Sequence, residues 1–143
     1  MTAAIALGGS SMKAKWGTPD IVGIYRARSS HAIHFPPEIV TAEVKVNPAE
    51  AVTAFGQAVA YRLFSHKTYV VLPDSLDEDE KTRLEALCLL LGVGLVFFKR
   101  DPRAPAFVAR VRAQRFAPDL FYANEFAERL RAHHREKFDQ VFG

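Results

Sequence analysis

Cysteine is nearly absent from this sequence. A single one, Cys88, stands in 143 residues, which rules out an internal disulfide framework and fits a reducing, cytoplasmic setting. Long apolar runs are missing too. The longest, 86–98, is interrupted by Gly92 and Gly94 and falls short of the roughly 18 residues a membrane span needs, so no membrane association is expected. The mildly apolar start, 1–7, leads into Lys13 and Lys15 instead of a longer apolar stretch, which is not the pattern of a secretory signal. Internal repeats, low-complexity tracts, a Gly-rich phosphate loop and a Ser/His/Asp arrangement are all lacking. Charge of either sign is barely in excess. The net charge is +3 and the pI about 9.2, a balance compatible with nucleic acid without indicating it.

What is present is the composition of an ordinary globular protein, at a length suited to one domain with its own core. Residues 8–19 read as a flexible lead-in. Residues 20–27 read as a strand, 28–37 as a loop with Pro36 and Pro37, and 38–46 as a cleanly alternating strand. In that strand Val40, Ala42, Val44 and Val46 share one face; Ile39, Thr41, Glu43 and Lys45 share the other. Asn47, Pro48 and Glu50 mark a helix start, with an apolar stripe of Val52, Phe55, Val59 and Leu63 to follow. A short strand at 67–73 comes next. A helix signalled by Ser75 and Glu78 then carries Leu84, Leu87, Cys88 and Leu91 to a stop at Gly92. Residues 93–98 form another buried strand, 107–111 an edge strand, and about 120–140 a last helix. The order predicts an α/β fold with a mixed central sheet flanked by helices.

The chemical anomaly is Glu43 with Lys45, two positions apart on one face of an apolar strand. The bland reading is a surface ion pair on an exposed sheet face, worth little to stability. Asp20 opens the preceding strand, so pairing of the two strands lets the carboxylates converge. Converging carboxylates repel unless a cation lies between them. A hard divalent ion takes one or two carboxylates together with water and phosphate oxygens. A nearby lysine then stabilises charge that develops on phosphorus oxygens.

Pro19-Asp20, followed by Glu43-Val44-Lys45 on the next strand, resembles the PD-(D/E)xK motif of the restriction-endonuclease-like nucleases. Gln57 and Tyr61 on the helix after it match the QxxxY element of the RecB-type branch. The resemblance spans about 18–98. It divides the single domain 1–143 into a lead-in (1–17), the core (18–98) and a C-terminal extension with a helix (99–143). It implies that Asp20, Glu43 and the backbone carbonyl of Val44 bind Mg²⁺ or Mn²⁺. Lys45 would orient the attacking water, and Gln57 and Tyr61 would support the site or touch substrate. The implied activity is metal-dependent hydrolysis of phosphodiester bonds in nucleic acid, DNA first. Pro-Asp also occurs at 73–74 and 118–119, so position and not the dipeptide discriminates.

The superfamily core usually has a helix and a strand ahead of the PD strand. Here 1–7 offers only a short strand, so a region preceding Met1, or a second copy in a homodimer, is expected to complete the fold. Arg110, Arg112 and Arg115 are candidate phosphate contacts, with a solvated face as the plain alternative. His31 and His34, in the loop expected beside the site, lack a third ligand and read as incidental. Cys88 reads as core. Trp16 reads as a small packing residue, with base stacking as its alternative. The rival function is a catalytically silent nucleic-acid-binding or assembly module on the same fold.

Overall fold

A computed structural model describes residues 2–8 and 12–143; Met1 and residues 9–11 of the expected lead-in lie outside the described residues. The strands β1 (Thr2–Ala6), β2 (Ile21–Tyr25), β3 (Glu38–Val44), β4 (Lys67–Pro73), β5 (Gly94–Phe98) and β6 (Val108–Val111) form one six-stranded sheet in chain order. β1 to β3 make an antiparallel meander, β3 to β5 run parallel, and β6 returns antiparallel at the edge. The parallel strands are joined by helices α1 (Ala51–Tyr61) and α2 (Glu78–Leu91), while α3 (Leu120–His133) and α4 (Arg135–Phe142) follow β6. The chain is α/β with a mixed sheet. No helix among the described residues is long and apolar enough to cross a membrane.

The caps explain several boundaries. Asn47 Oδ1 accepts from Ala49 N at 3.1 Å, and Pro48–Glu50 form a 3₁₀ turn that runs into α1. α2 is capped by Asp77, not Ser75, through Glu80 N at 2.8 Å, and it ends where expected on Gly92 in the left-handed region, φ 66°. The single helix expected at 120–140 is two helices, broken at His134 (φ −144°, ψ 63°). The break turns α4 back so that Val141 packs with Ile5, Val22 and Ile24.

The sheet is covered on one face. The buried strand residues Ile5, Val22, Ile24, Ile39, Val70, Leu72, Leu95, Phe97 and Val111 fall on this face by the strand register. α1 and α2 close one core over β4 and β5, with Ala54, Phe55, Leu84 and Cys88. α3 and α4 close a second over β1 and β2, with Phe126 and Leu130. The cover of β1 and β2 thus comes from the C-terminal extension, whereas a region preceding Met1 or a second copy was expected to complete the fold. The other sheet face carries Tyr25, Val40, Ala42, Val44, Tyr69, Val71, Val96 and Phe98, all half-buried or exposed. On β3 this reverses the plain expectation: the valine face is open, and the face with Thr41 and Glu43 is covered.

Candidate active site

Between the two apolar cores runs a line of buried polar side chains. Thr41, Glu43, Ser65 and Thr68 are the buried polar or charged residues among those described. Thr41 Oγ1 and Ser65 Oγ share a hydrogen bond at 3.1 Å, and Ser65 Oγ donates to the Tyr61 carbonyl at 2.6 Å. Glu43 ends this line near the C-terminus of β3. It is only 1% exposed, and a carboxylate so placed is costly unless its charge is met by partners. Lys45 Nζ lies 2.8 Å from Oε1, and Tyr61 OH donates to Oε2 at 2.8 Å. The pair is therefore not the surface ion pair of the bland reading.

Tyr61 reaches Glu43 because α1 lies close on β3 and β4. The expected stripe holds in part: Phe55 is buried and Val59 packs against the core, but Val52 is 72% exposed, and the covered residues are Ala51, Ala54, Phe55, Ala58 and Tyr61. Alanines three and four apart let the helix approach the sheet. Tyr61 is the long polar side chain on that face, so it belongs to the core and not to a polar flank. One turn earlier Gln57 stands beside it. Gly17, in the left-handed region at φ 96°, packs on both; a Cβ there would lie 3.5 Å from Gln57 Nε2 and 3.5 Å from Tyr61 OH. Gln57 Oε1 is buried with no hydrogen-bond partner among the described residues.

Asp20 arrives from the other side. Ile21 pairs with Ala42, so the same antiparallel register carried one residue further sets Asp20 opposite Glu43. Asp20 Oδ2 accepts from Val44 N at 2.8 Å. Lys45 N donates to Val71 O on β4 at 3.1 Å. Successive residues of a strand turn their peptide groups to opposite sides, so Val44 directs both N–H and C=O toward Asp20, beyond the first residue of β2. The two carboxylates and the Val44 carbonyl thus meet at one strand end. These are hard oxygen donors of the kind Mg²⁺ takes alongside water and phosphate oxygens. Among the described residues there is no group of three or more His, Cys, Asp or Glu side chains that could hold a metal, so the fit rests on two carboxylates and a backbone carbonyl.

Glu43 shapes the acidity of both side chains that contact it. The hydrogen bond to Glu43 is the main cause that raises Lys45 above the ordinary lysine range; partial burial opposes it, and the charges of Glu43, Asp20 and Glu50 add to it. Burial first, then the hydrogen bond to Glu43, pushes the Tyr61 phenol far above its usual range. Both groups hold their protons more tightly folded than unfolded. Their contribution to stability is therefore complete below about pH 10, where the unfolded side chains begin to titrate, and is lost as pH rises further. Tyr61→Phe is expected to cost about 1.5–3 kcal/mol, the scale of a hydrogen bond to a charged group. In urea unfolding followed from neutral to alkaline pH, that variant should lose less stability above pH ~10 than wild type. Parallel curves for the two proteins would contradict the Tyr61–Glu43 bond.

The other sequence candidates lie elsewhere. The loop holding His31 and His34 joins the far ends of β2 and β3, about 17 Å from Asp20 at a strand's rise per residue. It is not beside the site. Arg115 pairs with Glu38 at the first residue of β3, and Arg110 pairs with Glu85 at 3.0 Å. Arg112 is exposed, beyond the end of β6 that Val111 forms opposite Leu95. None of these three arginines is brought to Glu43. Arg100 reaches the chain just past Lys45, where its guanidinium donates to the Val46 carbonyl. Cys88 is fully buried and burial pushes its thiol up to about 12, as a core residue requires. Trp16, expected to pack, is 65% exposed.

Comparison with family models, with curated proteins and with solved structures found no match to this chain. The functional reading therefore stands on the site itself.

Proposed function

We propose that the chain is a metal-dependent phosphodiesterase of the PD-(D/E)xK type, with a restriction-endonuclease-like core, that hydrolyses nucleic acid, DNA first. The observation that carries this reading is the meeting of Asp20, Glu43, the Val44 carbonyl and Lys45 at one strand end, with Lys45 Nζ 2.8 Å from Glu43 Oε1. Asp20, Glu43 and the Val44 carbonyl would hold Mg²⁺ or Mn²⁺, which supplies charge neutralisation at the scissile phosphate and a more acidic bound water. Tyr61 fixes the Glu43 carboxylate from behind. Asp20 is fixed by Val44 N. Lys45, its side chain 23% exposed, has solvent access to position the attacking water and to meet charge on the phosphate oxygens as it develops. Arg100 stands at the same end of the sheet to meet a flanking phosphate.

One observation favours the rival, a silent binding or assembly module. Both oxygens of Glu43 already have a protein donor, an arrangement that also suits a purely structural ion pair. Each oxygen keeps a second acceptor position, so the arrangement does not oppose a metal. A thermal melt separates the two readings. A ligand that binds only the folded state stabilises it by mass action. Millimolar Mg²⁺ or Mn²⁺ should raise Tm by a few degrees, at about 2–4 °C per kcal/mol for a chain of this size. Asp20→Asn, which keeps an acceptor for Val44 N, should remove most of that rise. A wild-type Tm that ignores both metals would favour the silent module.

A further inference from the structure

Beside the Glu43 site lies a cavity of about 370 Å³ whose lining includes Trp16, Phe64, Tyr122, Phe126, Lys15 and Arg129. Its volume falls in the roughly 300–1,000 Å³ range of small-molecule sites. Tyr61 also lines it, so the residue that holds Glu43 through its hydroxyl borders this cavity too. Phe64 and Phe126 stack on each other at 4.5 Å and belong to the second core. Trp16 and Tyr122 do not pack this way. They are 65% and 41% exposed, and the ring neighbour of Tyr122 is Phe121, edge-on at 5.2 Å. Trp16 sits in the left-handed backbone region, φ 70°, which a bulky residue rarely adopts without an external reason.

We infer that this cavity takes one unstacked nucleobase of a single-stranded segment, adjacent to the phosphate handled at Asp20, Glu43 and Lys45. The inference rests on the nuclease reading of that site and names its substrate as a strand with at least one base out of the stack. Exposed aromatic faces on an apolar pocket are what base stacking uses, and any base supplies a π-face. A paired base inside a duplex cannot enter such a pocket without leaving its stack. The polar rim suits the same ligand. Glu125 is held by Arg129 at 2.8 Å, which leaves a carboxylate able to accept from an amino or imino group of a base. Lys15, exposed on the rim, is placed to meet the phosphate beside it.

Trp16 is the sole tryptophan of the sequence, so tryptophan emission reads this cavity alone. Metal-free protein is titrated with oligothymidylate, with an abasic oligomer of equal length, and with inorganic phosphate. The expected result is saturable quenching by oligothymidylate, at least ~10-fold weaker binding of the abasic strand, and no response to phosphate. Tyr122→Ala, at an exposed position, should weaken binding about 10-fold or more, the scale of losing one stacking partner, and Trp16→Ala should do the same for a labelled strand read by anisotropy. Equal binding of normal and abasic strands, or an unresponsive Trp16, overturns the base pocket. The nuclease reading fails separately, by absence of cleavage in Mg²⁺ and Mn²⁺. A protein that cleaves while Trp16 stays silent keeps the nuclease and loses the pocket. One whose Trp16 responds to bases without cleavage keeps the pocket and loses the nuclease.

Discussion

Lys45→Met is expected to lower the rate of DNA cleavage in Mg²⁺ or Mn²⁺ by about 10²-fold or more, the scale of removing one electrostatic stabiliser of a transition state. The lysine's strongest interaction in the proposed reaction is with charge that is absent from bound substrate. Its loss should therefore fall on kcat while affinity changes little. The structure adds a complication that the sequence does not carry. Lys45 is also the cation of buried Glu43, so the variant leaves a carboxylate without its counter-charge and should be destabilised by about 3 kcal/mol, the lower end of the range for broken buried pairs, because Lys45 is partly exposed. Cleavage must then be compared well below both melting temperatures. Lys45→Arg separates the two roles: it keeps the charge and most of the stability but displaces the donor, so it should recover Tm more fully than rate. Equal cleavage by wild type and Lys45→Met would remove Lys45 from the mechanism. If wild type cuts neither DNA nor RNA with either metal, the silent module replaces the enzyme.

The second large effect concerns stability and holds whichever function is correct. Breaking a buried ion pair from one side is strongly destabilising, whereas replacing the whole group with apolar residues of similar size is often neutral or stabilising by about 1–4 kcal/mol. The triple variant Glu43→Leu, Lys45→Met, Tyr61→Phe removes the carboxylate together with both of its donors. It should be at least as stable as wild type, and several kcal/mol more stable than Lys45→Met alone. At about 2–4 °C per kcal/mol the two variants should differ in Tm by roughly 10 °C. Such a result identifies the Glu43 cluster as a feature that costs stability and is kept for another reason, the usual relation between active sites and their folds. A triple variant as unstable as Lys45→Met would mean that Glu43 is not the desolvated charge its burial indicates.

Local rules make much of the chain legible in its sequence. The strand at 67–73, the start of α1 behind Asn47 and the stop of α2 at Gly92 follow from periodicity and capping, which act over a few residues. The same rules erred where two local choices were close in energy. Ser75 and Asp77 are both good caps, and Asp77 holds the position. Val52 and Ala51 are neighbours on one helix, and hydrophobicity favours valine for the core. The sheet surface took the alanines instead, because close approach of α1 to β3 outweighed the larger side chain.

By itself the sequence determined which candidate residues travel together. Glu43 and Lys45 share a face because strand side chains alternate, and Gln57 and Tyr61 neighbour each other because a helix turns in 3.6 residues. Backbone geometry decides both, with no help from the rest of the chain. Only the tertiary structure decided which face of β3 is covered, since that depends on α1 crossing over it and on α3 and α4 returning from the C-terminal end to close the second core. It also set Asp20 opposite Glu43 through the β2–β3 register, joined Tyr61 to Glu43, and left Arg110, Arg112 and Arg115 away from both. These are long-range pairings, and no local period encodes them: they follow from which surfaces bury the most apolar area once all the elements have formed.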